Sequence, residues 1–189
     1  MKGYKYDELT VASQDNAVKW FQEVLVEEST EESENIMQEF YTILENNGYE
    51  GMDIQWTFNN FESDGVAFYG ILFTTDLVKI SERLLSDKEY KRLKAIAIGE
   101  DFSIEIYNNN YNERNMVTYL NNEHVFSDYP KVWELLQKLE RAVSEDIKEI
   151  REQLERQGHD AIAYYRTKVY AINEIRNCEY EFDIDGGRI

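Results

Sequence analysis

The sequence of 189 residues has one cysteine, one proline and no long apolar run, and each shortage excludes a class of structure. The single thiol, that of Cys178, cannot close an internal disulfide and has no neighbours at metal-ligand spacing, which is typical of the reducing cytosol. The longest apolar runs, such as residues 66–73, are far shorter than the roughly 20 residues that span a bilayer. No apolar stretch follows the N-terminal lysine, so we expect neither a membrane span nor an export signal.

The most informative absence is that of lysine and arginine between Lys19 and Lys79. These 59 residues, the base-free segment, contain thirteen acidic side chains and supply 13 of the 18 net negative charges. Residues 1–19 are neutral, and residues 79–189 carry 22 acids against 17 bases. A protein that holds nucleic-acid phosphates needs the opposite sign of charge, so we expect no direct binding of nucleic acid.

The remaining composition predicts one acidic domain that comprises residues 1–189. Hydrophobic residues make up 42% and aromatic residues 14% of the chain, which is enough to build a core despite the charge. The sequence has no low-complexity linker and no repeat of fixed period, so nothing divides it into separate domains.

Hydrophobic periodicity predicts an α+β fold. Apolar residues at helical spacing indicate helices over about residues 11–27, 31–46, 76–85, 130–157 and 160–177. Alternating or continuous apolar runs indicate strands over about residues 52–58, 66–73, 102–106 and 115–120, with a fifth over 180–184. Thr10 is the expected N-cap of the first helix, Asn47-Gly48 the stop of the second, and Gly158 a break between the last two. We therefore expect an antiparallel sheet of about five strands with helices packed mainly on one face.

Motifs for catalysis and cofactor binding are weak. His124 and His159 stand in no serine or cysteine arrangement, and no glycine-rich phosphate loop occurs, so we predict no catalytic residue and no cofactor. Asp101 and Glu105 have the carboxylate layout of a metal-dependent nuclease, but Tyr107 stands where the lysine belongs, which favours an ordinary strand. Residues 183–186 resemble the start of a calcium loop but lack its distant glutamate, which favours a strand end and a frayed tail.

The acidic segment has two open interpretations, a solvated face that serves solubility and a functional anionic surface. Like-charge repulsion without cations favours function, although packing of the second helix against the basic residues 88–94 would relieve part of it. Asp64 lies in the expected hairpin connection 59–65, where Asp-Gly is also ordinary turn chemistry. The predicted partner-binding residues are Glu23, Glu27, Glu28, Glu31, Glu32, Glu34, Glu39 and Asp64.

Four short patterns occur in order along the chain. They are Glu8-Leu9 with Ala12, Gln14, Ala17 and Phe21; SDGVAF at 63–68; YNERNM at 111–116; and Phe182 with Asp185-Gly186. Together they resemble an uncharacterised family of small bacteriophage and prophage proteins, sometimes labelled antitoxin-like. The resemblance implies an origin in a mobile element, not a reaction. Asn109 and Asn112 stand where relatives tend to carry histidines, and the segment after the first helix is acidic instead of tryptophan-rich, so histidine or metal chemistry is not carried over.

Charge and resemblance together favour a phage accessory protein of the host cytoplasm that is not an enzyme. It would bind the basic surface of a host nucleic-acid-handling defence machine, such as a CRISPR effector or nuclease, and inhibit it. Two alternatives remain, an antitoxin-like protein that neutralises a partner toxin and a metal-dependent nuclease.

Overall fold

The computed structural model of the protein describes residues 3–28, 30–57, 65–108, 116–121, 126 and 129–189, without the side chains of residues 25–28 and 30. The described chain divides into two compact units. Unit 1 consists of Met1–Ile36 and Gly158–Ile189, and unit 2 consists of Met37–Gln157. The prediction of a single domain stays a prediction.

Two helices stand near the N-terminus, as the sequence predicts. Helix α1 spans Val11–Glu28 and helix α2 spans Thr30–Asn46. The Oγ1 atom of Thr10 accepts a hydrogen bond from the backbone N–H of Ser13 at 3.3 Å, which confirms the predicted N-cap of α1. Gly48 has a φ of +86°, so the left-handed stop predicted after α2 is also confirmed.

A four-stranded antiparallel sheet lies in unit 2. Its strands are β1 (Asp53–Thr57), β2 (Gly65–Phe73), β3 (Ser103–Asn108) and β4 (Met116–Leu120), in that spatial order. Gly70 pairs with Ile106, and Ile104 pairs with Leu120. Facing residues of antiparallel strands share one face of the sheet, so this register places the buried Leu72, Ile104 and Leu120 together. The α+β class is therefore confirmed.

The predicted fifth strand, over residues 180–184, is wrong in the described structure. Phe182 instead forms isolated antiparallel bridges with Tyr4 and Arg188 in unit 1. The chain reverses immediately afterwards, because Gly186 has a φ of +89° and the Asp183 carboxylate accepts hydrogen bonds from two backbone N–H groups of the turn. The prediction of a frayed tail is also wrong, because the hydroxyl of Ser13 donates to the Ile184 carbonyl at 2.7 Å.

Four further helices occur among the described residues: α3 (Thr74–Leu84), α4 (Asp87–Ile96), α5 (Pro130–Tyr165) and α6 (Lys168–Asn177). The predicted break at Gly158 is wrong, because α5 continues for seven residues beyond that glycine. Glycine inside a helix costs only about 1 kcal/mol relative to alanine, which a long apolar stripe offsets. The break lies at Thr167, whose hydroxyl accepts a hydrogen bond from the Tyr170 backbone N–H at 3.1 Å.

Each unit has its own buried residues. In unit 1, α1 and α6 contribute Ala17, Val18, Phe21, Ala171 and Ile175 to a cluster that also contains Tyr6, Leu9 and Phe182. In unit 2, α5 buries the apolar stripe that the sequence predicts, which includes Leu136, Leu139, Val143, Ile147, Ile150 and Leu154. None of the described helices combines the length and the apolar character that a bilayer span requires.

A polar network within unit 2 joins the end of α2 to α3 and α5. Asp146 is 7% exposed, and its carboxylate binds the Arg83 guanidinium through both oxygens and accepts a hydrogen bond from the Tyr49 hydroxyl at 2.7 Å. Arg83 also donates to the Asn47 carbonyl at 3.1 Å. Burial and the adjacent Asp146 raise the pKa of the Tyr49 phenol above its ordinary value, so Tyr49 remains a neutral donor.

Replacement of Asp146 by asparagine should destabilise unit 2. We expect the free energy of unfolding of Asp146→Asn to fall by about 2 kcal/mol, less than the roughly 3 to 5 kcal/mol of a fully buried pair, because Arg83 is 44% exposed. Tyr49→Phe should cost about 1 kcal/mol. Urea denaturation followed by circular dichroism measures both values. Glu145→Gln, at an exposed neighbouring position of α5, is the control, and equal stability of Asp146→Asn and this control would contradict the assignment.

Candidate functional site

The structure describes five of the eight predicted partner-binding side chains. Glu23 lies on α1, and Glu31, Glu32, Glu34 and Glu39 lie on α2. The side chains of Glu27 and Glu28, and the whole of Asp64, lie outside the described residues.

Among the predicted partner-binding residues of unit 1, the side chains of Glu23, Glu31 and Glu34 are exposed. We call these three residues the anionic surface. Glu31 and Glu34 are three residues apart on α2, which places their Cβ atoms about 5 to 6 Å from each other. The opposite side of α2 buries Ile36, so the charged residues are kept on the solvent side by packing.

Glu32 differs from its neighbours because it has a partner within unit 1. Its carboxylate accepts a hydrogen bond from the Tyr170 hydroxyl at 2.8 Å, and its side chain is half-buried. Burial, together with this carboxylate, raises the pKa of the Tyr170 phenol above its ordinary value. Glu32 therefore links α2 to α6 by accepting a hydrogen bond from a neutral tyrosine, and it is not part of the anionic surface.

Three cations of unit 1 are paired with acids outside the base-free segment, and a fourth lies over aromatic rings. Arg176 pairs with Asp7 at 2.6 Å, Lys5 pairs with Glu181 at 3.5 Å, and Lys168 pairs with Asp15. The hydrogen bond from Lys168 lowers the pKa of the Asp15 carboxyl. The guanidinium of Arg188 lies over the rings of Trp20 and Tyr180, at 5.1 and 4.7 Å from their centroids.

The anionic surface, by contrast, has no cationic partner among the described residues. The side chains of Glu23, Glu31 and Glu34 form neither an ion pair nor a hydrogen bond with any residue that the structure describes. Glu31 and Glu34, three residues apart on α2, repel each other, and the repulsion falls with salt. The sequence-based expectation of locally unrelieved charge therefore holds for these three side chains.

The acids of the base-free segment in unit 2 are also weakly neutralised. Glu39 accepts a hydrogen bond from the amide of Gln157 at 2.7 Å, which adds no opposite charge. Glu50 approaches Lys79 at 3.9 Å, but both side chains are more than 60% exposed, so the pair contributes little. Asp76 accepts a hydrogen bond from the Phe73 backbone N–H at 3.1 Å.

The basic residues 88–94 make contacts that do not involve the base-free segment. Arg92 donates to the Lys131 carbonyl at 2.7 Å, and Lys94 lies 5.5 Å from the ring centroid of Tyr90. In the same helix, Glu89 pairs with Lys138 at 2.6 Å, and the hydrogen bonds from Lys138 and Ser86 lower the pKa of the Glu89 carboxyl to about 2. The described contacts of α4 therefore do not support the expectation that residues 88–94 neutralise the acids of the base-free segment.

The residues considered for metal-dependent cleavage do not form a metal centre among the described residues. Glu105 lies in β3, where its cross-strand neighbours are Ile71 and Tyr119, and neither is a carboxylate or an imidazole. Within the described ranges, no three His, Cys, Asp or Glu side chains are placed to hold a metal ion. His159 is exposed within α5 instead of at a helix start, and His124 lies outside the described residues.

The sheet has an exposed apolar face that the sequence pattern did not predict. Its five apolar members are 36% to 61% exposed, and we call them, together with Glu105, the outer sheet face. They are Tyr69, Ile71, Phe73, Tyr107 and Tyr119. The run from residue 66 to 73 is apolar at nearly every position, so periodicity does not show which side faces solvent. The polar Ser103 and Glu105 alternate with Ile104 and Ile106 in β3, and they were the signal for this face.

Comparison with known proteins adds no functional assignment. No family model, no curated protein and no solved structure matches this chain. The resemblance to the phage and prophage family therefore stays a prediction.

Salt should stabilise this protein, because it screens repulsion among carboxylates without cations. We expect the Tm to rise by about 2 °C between low salt and about 0.5 M NaCl, in keeping with a few tenths of a kcal/mol per like-charge pair. The triple variant Glu23→Gln, Glu31→Gln, Glu34→Gln should lose most of this rise in calorimetry. A matched variant that removes paired acids, Asp7→Asn, Asp15→Asn, Glu181→Gln, should keep it. Identical salt responses of the two variants would argue against unrelieved charge at the anionic surface.

Proposed function

We propose that this chain is a binding protein that places its anionic surface on a basic, phosphate-binding surface of a host nucleic-acid-handling protein and thereby inhibits it. Surfaces that hold phosphates present lysine and arginine side chains, and exposed carboxylates offer these cations the same sign of charge as a phosphate backbone. The resemblance to phage and prophage proteins supports a defence nuclease or CRISPR effector as the target, in the cytoplasm of an infected bacterium.

One contrast within unit 1 carries this proposal. Asp7, Asp15 and Glu181 have cations of the same unit at their carboxylates, whereas Glu23, Glu31 and Glu34 have none among the described residues. Solubility would be served equally well by a face that carries both positive and negative side chains, without the cost of like-charge repulsion. Carboxylates without a cation among the described residues are available to the cations of a partner, and binding would relieve the repulsion between Glu31 and Glu34.

The proposal also includes the arrangement of the helices on the sheet. We infer that helices cover mainly the face that carries Phe68, Leu72 and Ile104, because these side chains are at most 1% exposed. The alternating positions of β2, Tyr69 and Ile71, are 39% and 44% exposed, which agrees with an opposite face left open. The fold then supplies a rigid scaffold, and the proposed activity is binding without catalysis.

Charge reversal at the anionic surface should abolish capture of the partner. We expect the tagged chain to retain basic nucleic-acid-binding proteins from nuclease-treated bacterial lysate at about 0.05 M NaCl and to release them by about 0.5 M, because exposed charge pairs are screened. The variant Glu23→Lys, Glu31→Lys, Glu34→Lys should retain none of them, as read by mass spectrometry.

The control for this experiment has the same net charge but a different location. Glu82→Lys, Glu145→Lys, Glu152→Lys changes three exposed acids of unit 2 that have no ion pair among the described residues. This variant should retain the same proteins as the wild type. Equal capture by the two lysine variants, or capture that salt leaves unchanged, would contradict the proposed function.

A further inference from the structure

The outer sheet face combines aromatic rings with a carboxylate and contains no cation. Tyr119 and Ile71 are the direct cross-strand neighbours of Glu105, one on each side. None of the four strands contains Lys, Arg or His, whereas Asp53 and Glu105 are acidic. The side chain of Glu105 is half-buried and forms no ion pair or hydrogen bond with any described residue. Among the described residues, this carboxylate between tyrosines thus has no counter-charge.

A depression in this face is large enough to receive a side chain. It has a volume of about 380 Å³, and its lining includes Tyr69, Ile71, Glu105 and Tyr107. The depression is shallow and open to solvent, and its volume lies at the lower end of the roughly 300 to 1,000 Å³ that is typical of ligand sites. The depression belongs wholly to unit 2, whereas the anionic surface belongs to unit 1.

We propose that the outer sheet face binds an apolar peptide segment of a partner protein and receives one of its arginine side chains at Glu105. A guanidinium donates two parallel hydrogen bonds to a carboxylate and also stacks on aromatic rings. The Glu105 carboxylate supplies the first interaction, and Tyr69 and Tyr107 supply rings for the second. Apolar residues on either side of the arginine would cover Ile71 and Phe73, which are 44% and 61% exposed.

The charge of the outer sheet face disfavours two alternative occupants, single-stranded nucleic acid and a second copy of the chain. Aromatic side chains on a four-stranded sheet also stack the bases of single-stranded nucleic acid, but such modules place cations beside the phosphates, and these strands have none. A second copy of the chain, related by a two-fold axis, would bring its own Asp53 and Glu105 carboxylates towards this face. Like charges brought together in an interface oppose association.

The test is an NMR titration of the full chain with a synthetic peptide, acetyl-Leu-Arg-Leu-Arg-Leu-amide. We expect the shift changes to concentrate in β2, β3 and β4, and Glu105→Gln to weaken binding about tenfold, the loss of one charge-assisted contact. Tyr107→Ser should weaken it about fivefold through loss of one ring. The same peptide with glutamate in place of arginine should not bind.

Matched controls separate this site from other effects. Glu45→Gln removes an exposed acid elsewhere in unit 2 and should leave the affinity unchanged, as should the lysine variant of the anionic surface. Equal affinities of wild type and Glu105→Gln, with both spectra folded, would overturn the proposal. It would also be overturned if a single-stranded oligodeoxythymidine shifted the same residues, or if sedimentation showed that self-association buries this face.

Discussion

A carboxylate between residues 20 and 78 can pair with a cation only if folding brings that cation from outside the segment, because the segment contains no lysine or arginine. The described structure provides one such ion pair, the exposed contact of Glu50 with Lys79. In unit 1, Lys5, Lys168 and Arg176 are held by acids from other parts of the unit. The negative charge of α1 and α2 is consequently kept on the surface, and the proposed function follows from it.

Packing in unit 1 offsets the cost of this charge. Trp20 makes edge contacts with the rings of Tyr180 and Phe182, and Arg188 stacks against the same aromatic group. These contacts bring the end of the chain back onto α1, and Ser13 and Asn16 bind carbonyls of the terminal turn. Gly186 is required in that turn, since a Cβ atom there would lie 2.1 Å from the Ser13 carbonyl oxygen. Apolar and aromatic burial thus stabilises a unit whose acids and bases, 15 against 7, are unbalanced.

Local patterns predicted the elements well and the long-range contacts poorly. The cap at Thr10, the stop at Gly48 and the four strands depend on residues close in sequence, and the structure confirms them. The prediction of a break at Gly158 was wrong because the buried apolar stripe of α5 outweighs one residue of low helix propensity. The prediction of a fifth strand was wrong because a turn held by Asp183 competes with pairing in the sheet.

The sequence predicted members of the candidate site only where the charge of the segment alone identifies them. The absence of bases identified Glu23, Glu31 and Glu34, but the partnership of Glu32 with Tyr170 joins positions 138 residues apart. The network of Asp146 with Arg83 and Tyr49 is likewise formed by residues distant in sequence. The outer sheet face was missed because a continuous apolar run in β2 carries no period, and register is fixed by tertiary pairing.

Carboxyl footprinting of the complex captured at low salt tests the central claim most directly. Carbodiimide labelling read by mass spectrometry reports the accessibility of each carboxylate in the free and the bound chain. The account predicts that binding protects Glu23, Glu31 and Glu34, while the labelling of Asp7, Asp15 and Glu181 is unchanged. Undiminished labelling of the anionic surface in a stable complex would contradict it.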